Sequence, residues 1–152
     1  MGSVPNASQR EALRVDVGLT HVALPVADAA ASIRFYERFA AMRVVHERSD
    51  EPGSRVVWLS DLTRPFVIVL IEHAGDPARL SGWSHLGVAC ASRDDVERLC
   101  ADARADGFAV QGPFDAGPPV GYWAIIPDPD GHNLELSFGQ DVGTTVETSR
   151  VR

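Results

Sequence analysis

The sequence predicts an α+β fold made of two paired βαβββ modules, and three observations carry that expectation. Each half opens with a histidine in a short apolar strand: Gly18-Leu-Thr-His21-Val-Ala-Leu-Pro-Val26 and Gly82-Trp-Ser-His85-Leu-Gly-Val-Ala-Cys90. Each opening strand is followed by one helical pattern and then three strand patterns, in the same order. Within the strands, bulky apolar residues alternate with small or polar ones, so that one face needs covering and the other does not. A repeated unit of this kind is the mark of an internal duplication.

In the first module, placed at residues 17–74, strand 18–26 leads to Asp28, an N-cap candidate. Ala30, Ile33, Phe35, Tyr36 and Phe39 then recur at helical spacing. Strands are expected near 42–48, 55–60 and 66–72. In the second module, placed at 82–139, strand 83–90 leads to Ser92, again an N-cap candidate. Val96, Leu99, Cys100 and Ala103 mark one helix face, and Gly107 suits the residue just past the helix end. Strands are expected near 108–112, 121–126 and 133–138, the last two joined by the turn sequence Asp128-Pro-Asp-Gly.

The repeat has a definite offset. His21 and His85 are 64 residues apart, and superposing the final hairpins pairs Val57 with Trp123, Leu59 with Ile125 and Val69 with Glu135, 66 apart. Residues 1–16 read as a flexible N-terminal segment and 140–152 as a flexible C-terminal tail, polar and aperiodic.

Bulk properties bound the function. The 152 residues suffice for a real core, and 45% hydrophobic with 23% charged residues is ordinary for a soluble domain. A net charge of −7 argues against nucleic acid or an anionic membrane as partner. The cations are scattered arginines with no lysine, which solvated surface charge accounts for. Cys90 and Cys100 form neither a disulfide framework nor a zinc pattern and read as buried thiols. No apolar run reaches a membrane span and no signal-peptide core is seen, so a cytoplasmic protein is expected.

Strand alternation sets the candidate site. His21 shares a face with Ala23 and Pro25, His85 with Gly87 and Ala89, and Glu135 with Asn133 and Ser137. Leu24, Val26, Leu86, Val88, Leu134 and Leu136 take the opposite face. Small neighbours leave room around the three polar groups, which reads as the lining of a cup. A buried unpaired carboxylate is costly, and a metal removes that cost. Two imidazoles and a carboxylate make a three-ligand site with open positions for substrate. His132, in the hairpin turn, is expected to face solvent, and His46 to lie at an outer or edge position. Trp123 and Ile125 are expected on the cup face. Tyr122 is adjacent, with its register pointing the other way. Val69 occupies the position equivalent to Glu135.

At Leu-Thr-His21-Val-Ala-Leu-Pro-Val, Trp-Ser-His85-Leu-Gly-Val and Asp128-Pro-Asp-Gly-His-Asn-Leu-Glu135-Leu the chain resembles the vicinal oxygen chelate superfamily. That superfamily includes glyoxalase I, bleomycin- and fosfomycin-resistance proteins and extradiol dioxygenases, and the resemblance runs from residue 18 to about 139. It implies paired βαβββ modules whose mixed sheet curls around a metal cup, and a homodimer. The ligand set it implies is His21, His85 and Glu135, with Glu135 also catalytic. It implies Fe(II) or Mn(II) ahead of Zn(II), Ni(II) or Co(II). The substrate would be a small vicinal-oxygen molecule, apolar or aromatic, touching Trp123, Ile125, Val69 and Tyr122.

Departures from the family patterns narrow the reaction. Val69 cannot supply the fourth ligand usual in glyoxalase I. Extradiol ring cleavage therefore leads, although Ile125 stands where those enzymes usually carry a tyrosine. A glyoxalase-like lyase or isomerase, or a bleomycin-resistance-like binding protein without catalysis, are the alternatives. A phosphonate pocket of fosfomycin type needs cations near the metal, and the absence of lysine weighs against it.

Overall fold

Two four-stranded mixed sheets, each carrying one helix, make up the computed structural model, which describes residues 21–51, 54–72, 78–140 and 142–143, without the side chains of 50 and 51. The N-terminal segment, His73 and most of the C-terminal tail lie outside the described residues. The first module runs β1 (His21–Val26), α1 (Ala29–Ala40), β2 (Arg43–Glu51), β3 (Ser54–Ser60) and β4 (Val67–Glu72). The second runs β5 (His85–Ala89), α2 (Arg93–Ala105), β6 (Gln111–Asp115), β7 (Tyr122–Pro127) and β8 (Asn133–Phe138). Strand order is β1-β4-β3-β2 in one sheet and β5-β8-β7-β6 in the other. In each, the opening strand runs parallel to the last and the rest are antiparallel. The paired βαβββ architecture is thus present, but the two sheets do not close around a shared cup within one chain.

Helix ends follow the sequence signals. The Asp28 side chain accepts from Ala31 N at 3.0 Å, and Ser92 Oγ accepts from Asp95 N at 3.1 Å, so both N-caps form. At the end of α2 the Phe108 amide donates to Ala103 O at 2.9 Å and the Gly107 amide to Arg104 O at 3.0 Å, with Gly107 at φ 88°. This paired closure needs a left-handed residue that glycine adopts without strain. It also corrects the expected strand at 108–112: Phe108 is consumed in the helix cap and packs on Phe35 and Phe39, and β6 begins only at Gln111.

Registers support the repeat and correct one part of it. Val69 lies opposite Ala23 and Glu135 opposite Gly87, so Val69 and Glu135 are equivalent in their sheets. Across the hairpins, however, Val69 faces Trp58 while Glu135 faces Ile125. Trp58, not Leu59, is therefore the counterpart of Ile125. Val57 and Leu59 are fully buried on the helix-covered face. The β3–β4 hairpin holds one residue more than the β7–β8 hairpin, and a one-residue slip moves every side chain to the other face.

The core collects the apolar faces of both sheets and the inner faces of both helices. Leu24, Leu59, Leu70, Ile126, Leu134 and Leu136 are almost wholly buried, each stabilising by roughly 1.5–3 kcal/mol on area. The modules are also locked by a polar joint. Tyr36 Oη donates to Asp128 Oδ2 at 3.0 Å, and the amides of Asp130 and His132 donate to Asp128 Oδ1 at 2.9 and 2.8 Å. Burial pushes both the Asp128 carboxyl and the Tyr36 phenol above their ordinary values. The Ala27 amide reaches Asp130 Oδ1 at 2.9 Å.

His132 completes this joint and overturns the expectation of a solvent-facing turn residue, being 1% exposed. Its Nδ1 accepts from Leu80 N at 3.0 Å, which leaves the proton on Nε2 to donate to Pro25 O at 2.8 Å. The turn is polar because it docks onto the first module. Cys100 is buried and Cys90 half-buried, both as free thiols, and burial raises the pKa of each. Among the described residues no helix is long and apolar enough to cross a membrane.

Candidate metal centre and ligand hollow

Strands β5 and β8 bring His85 and Glu135 together. The two sit two residues apart in register on adjacent parallel strands, His85 opposite Asn133 and Glu135 opposite Gly87, on the face away from α2. His85 Nε2 stands 3.6 Å from Glu135 Oε2. That is too long for a hydrogen bond, yet both atoms can lie about 2.1 Å from one ion.

Local contacts fix both groups. Trp83 O lies 2.8 Å from His85 Nδ1 and can only accept, so Nδ1 carries the proton and the Nε2 lone pair faces Glu135. Glu135 is 7% exposed, and Gln140 Nε2 donates to its other oxygen, Oε1, at 2.7 Å. A nearly buried carboxylate with one oxygen tied and the other aimed at an imidazole lone pair suits a divalent cation. Gln140, in the expected tail, was not singled out from the sequence; its position five residues after Glu135 offered no local signal.

His21 lies elsewhere. It lines a hollow of about 610 Å³ on the open face of the first sheet, together with Ala23, Trp58, Val67 and Val69. All the described lining comes from the first module. Among the described residues no three His, Cys, Asp or Glu side chains are grouped to hold a metal. His21 is thus the positional equivalent of His85, 64 residues away, but on the other sheet.

The remaining candidates divide by face. Ile125 lies opposite Glu135 and Trp123 opposite Ser137, on the same face as the His85–Glu135 pair, with the Phe114 ring 4.9 Å from Trp123. Val69 is on the cup face of the first sheet. Tyr122 is not on a cup face. Its hydroxyl donates to Glu97 Oε1 at 2.9 Å and the Arg93 guanidinium sits 4.7 Å over its ring, both groups from α2. Strand alternation turns it to the helix side, as its register indicated, so it cannot line the cup with Ile125. Glu72 caps α1, accepting from Ala29 N at 2.8 Å.

Trp83, 87% exposed, stands beside His85, and the Trp58 ring, 42% exposed, lies 4.9 Å from the His46 ring at a tilt of 58°. His46 does lie on an edge strand, β2. Two arginines escaped the sequence reading as surface charge. Arg48 and Arg64 line the His21 hollow. Arg48 shares that face because the register shift between Val44 and His46 moves the residues after it by one, setting Arg48 opposite Val56. Bulges of this kind re-aim side chains and have no short sequence signature here.

Residues 18–136 match the Glyoxalase/Bleomycin resistance protein/Dioxygenase superfamily. The chain belongs to that superfamily. An uncharacterized protein of Pseudomonas aeruginosa is 41% identical over 129 residues, covering 82% of this chain and 91% of its own length. Among solved structures, a fosfomycin resistance protein FosX variant from Listeria monocytogenes, complexed with Mn(II) and a dihydroxypropylphosphonic acid, superposes at TM-score 0.66. It is 19% identical, over 87% of this chain and 99% of that one. The trypanothione-dependent glyoxalase I of Leishmania major gives TM-score 0.63 at 22% identity, over 90% and 94%. The antibiotic-binding protein TnmS3 of Streptomyces sp. CB03234 gives 0.59 at 23%, over 82% and 98%. At these identities the likeness establishes the shared superfamily fold.

Proposed function

We propose that this superfamily member is a divalent-metal enzyme acting on a small vicinal-oxygen substrate. In this reading His85 and Glu135 of one copy and His21 of a second copy hold the metal in a homodimer. The carrying observation is the His85–Glu135 pair, with Nε2 aimed at a carboxylate oxygen 3.6 Å away and Nδ1 tied to Trp83 O. Among the described residues of its own chain the pair lacks a third ligand, and an equivalent histidine waits on the other sheet's open face. Exposed Trp83 beside the pair supports a partner there.

A bound Fe(II) or Mn(II) with positions left open would act as a Lewis acid toward two neighbouring substrate oxygens. The chain's residues do the rest. Gln140 orients Glu135, Glu135 can accept a substrate proton at Oε1, the oxygen not aimed at the ion, and Trp123 and Ile125 bound the apolar side of the site. The His-His-Glu set supports extradiol-type ring cleavage as the finer reading. A glyoxalase-type lyase or isomerase gains from Tyr122, which faces α2 and offers no phenol beside Glu135.

Mixing separates these ideas from a structural role. His21→Ala and Glu135→Gln proteins each lose tight metal binding. Unfolded and refolded together, they regain about one quarter of the wild-type sites, because half of the dimers are mixed and one of their two sites is whole. Zero recovery with intact dimers refutes sharing between copies. Wild-type protein that binds no Fe(II), Mn(II) or Zn(II) refutes the metal reading. Catechol cleavage under O₂ by the iron-loaded protein selects the dioxygenase branch.

A further inference from the structure

Residues 80–84, the connector into β5, decide how His85 is presented. Strands β5 and β8 start side by side, with His85 opposite Asn133, so the connector passes over the head of β8. Burial does little to hold it. Leu80 packs against the core, whereas residues 81–84 are exposed. A segment with so little buried surface keeps one conformation only if its backbone groups are tied.

The ties come from His132, just before β8, and Asn133, its first residue. His132 Nδ1 accepts from the Leu80 amide at 3.0 Å. The Asn133 amide donates to Leu80 O at 2.7 Å, and Asn133 Nδ2 donates to Gly82 O at 2.9 Å. The connector then closes on itself, the Ser84 amide donating to Ser81 O at 3.1 Å. Within that turn stands the Trp83 carbonyl, 2.8 Å from His85 Nδ1. Both His132 and Asn133 are buried, so their polar atoms must find partners in the protein. The His132 ring also reaches the first module, its Nε2 donating to Pro25 O of β1, the strand that His21 opens.

We infer that His132 and Asn133 are positioning residues for the metal centre. They clamp the connector so that the Trp83 carbonyl keeps the proton on His85 Nδ1 and leaves Nε2 bare toward Glu135. A neutral imidazole left to itself divides its proton between two nitrogens, and only the form protonated at Nδ1 can ligate through Nε2. The clamp selects the ligating form before any ion arrives. It rests on the proposed metal reading for the ion alone, because the tautomer belongs to the metal-free chain.

The two bonds of the His132 ring can be cut separately. An asparagine oxygen can take the place of Nδ1 and a glutamine amide nitrogen that of Nε2. His132→Asn therefore keeps an acceptor for Leu80, and His132→Gln keeps a donor for Pro25 O. Nitrogen-15 spectra of the His85 ring in chelator-stripped full-length protein, at about pH 8 where an ordinary imidazole is neutral, read the tautomer directly. His85→Ala assigns the signals. Wild type should show a protonated Nδ1 and a bare Nε2. Asn133→Ala should move the ratio of the two forms about fivefold toward the other tautomer, the effect of losing one ordinary hydrogen bond. His132→Gln should move it the same way, and His132→Asn should keep the wild-type ratio. In Mn(II) titrations Asn133→Ala and His132→Gln should bind about tenfold more weakly. Leu70→Ala, wholly buried in the first sheet, should lower the Tm without moving the ratio. An unchanged ratio in Asn133→Ala overturns the inference. So does an equal shift in His132→Asn and His132→Gln, or a shift in Leu70→Ala, since the ratio would then follow module docking or stability. If Asn133→Ala fails to fold, the two His132 variants decide by themselves. Wild-type protein that holds the Nδ1-protonated form yet takes up no divalent ion refutes the metal reading and leaves the clamp standing.

Discussion

Removing one hydroxyl from the joint between the modules gives a sharp test of how they are held. Tyr36 is fully buried, Asp128 is 4% exposed, and the phenol donates to Asp128 Oδ2 at 3.0 Å. The backbone amides of Asp130 and His132 donate to Oδ1, so Tyr36→Phe strips Oδ2 of its donor without disturbing Oδ1. A hydrogen bond to a charged group contributes roughly 1.5–3 kcal/mol, and an orphaned buried acceptor costs a similar amount. Tyr36→Phe should therefore cost about 2 kcal/mol at pH 7, a fall in Tm of about 4–8 °C for a chain this size. The cost should depend on pH. Burial already holds the Asp128 carboxyl above its ordinary value, and the Tyr36 hydrogen bond opposes that rise. Losing it lifts the folded-state pKa further. A carboxyl raised in the native state binds more protons there than in the unfolded chain, so stability falls as pH rises through the raised value. The extra penalty of the variant is thus present above its Asp128 pKa and shrinks as pH falls through it. Urea unfolding of both proteins at pH 7 and pH 5, at one fixed protein concentration and with unchanged m-values, measures this. A loss below about 0.5 kcal/mol at pH 7 would refute the claim that this hydroxyl serves the carboxylate.

The other predictions are shorter. His85→Ala should abolish tight metal binding while leaving the circular dichroism spectrum and the urea midpoint of metal-free protein close to wild type; stoichiometric metal retained by the variant would remove His85 from the site. Gly121→Ala should lower stability by about 2 kcal/mol or more. Gly121 has φ 83° and an added Cβ would stand 2.4 Å from Phe138 O, so thermal unfolding that matched wild type would mean the backbone there relaxes freely. Leu136→Ala, at a wholly buried position between α2 and the second sheet, should cost about 2–5 kcal/mol in equilibrium unfolding; a change under about 1 kcal/mol would mean that the core collapses into the vacated space.

The fold was legible because its signals are local. Period-two alternation assigned Leu134 and Leu136 to the helix side and Glu135 to the other side from the sequence alone, and the packing agrees: the two leucines join the apolar core while Glu135 faces His85. Asp28, Ser92 and Gly107 announced the helix ends because caps involve residues a few positions apart. The equivalence of Val69 and Glu135 could be read because the parallel pairing of first and last strands is kept in both modules. The β3 register could not, because one additional hairpin residue leaves alternation intact while exchanging the faces.

The sequence by itself determined the βαβββ repeat and the face on which His21, His85 and Glu135 lie, since both rest on spacing along the chain, and its motifs carried the resemblance to the superfamily. Tertiary structure decided what depends on packing between distant segments. It buried His132 against Pro25, 107 positions away. It swung Arg48 into the hollow through irregular strand pairing. It also set His21 and the His85–Glu135 pair on the open faces of different sheets. Alternation tells a side chain which face to take; only the docking of one sheet against another tells it what that face will meet.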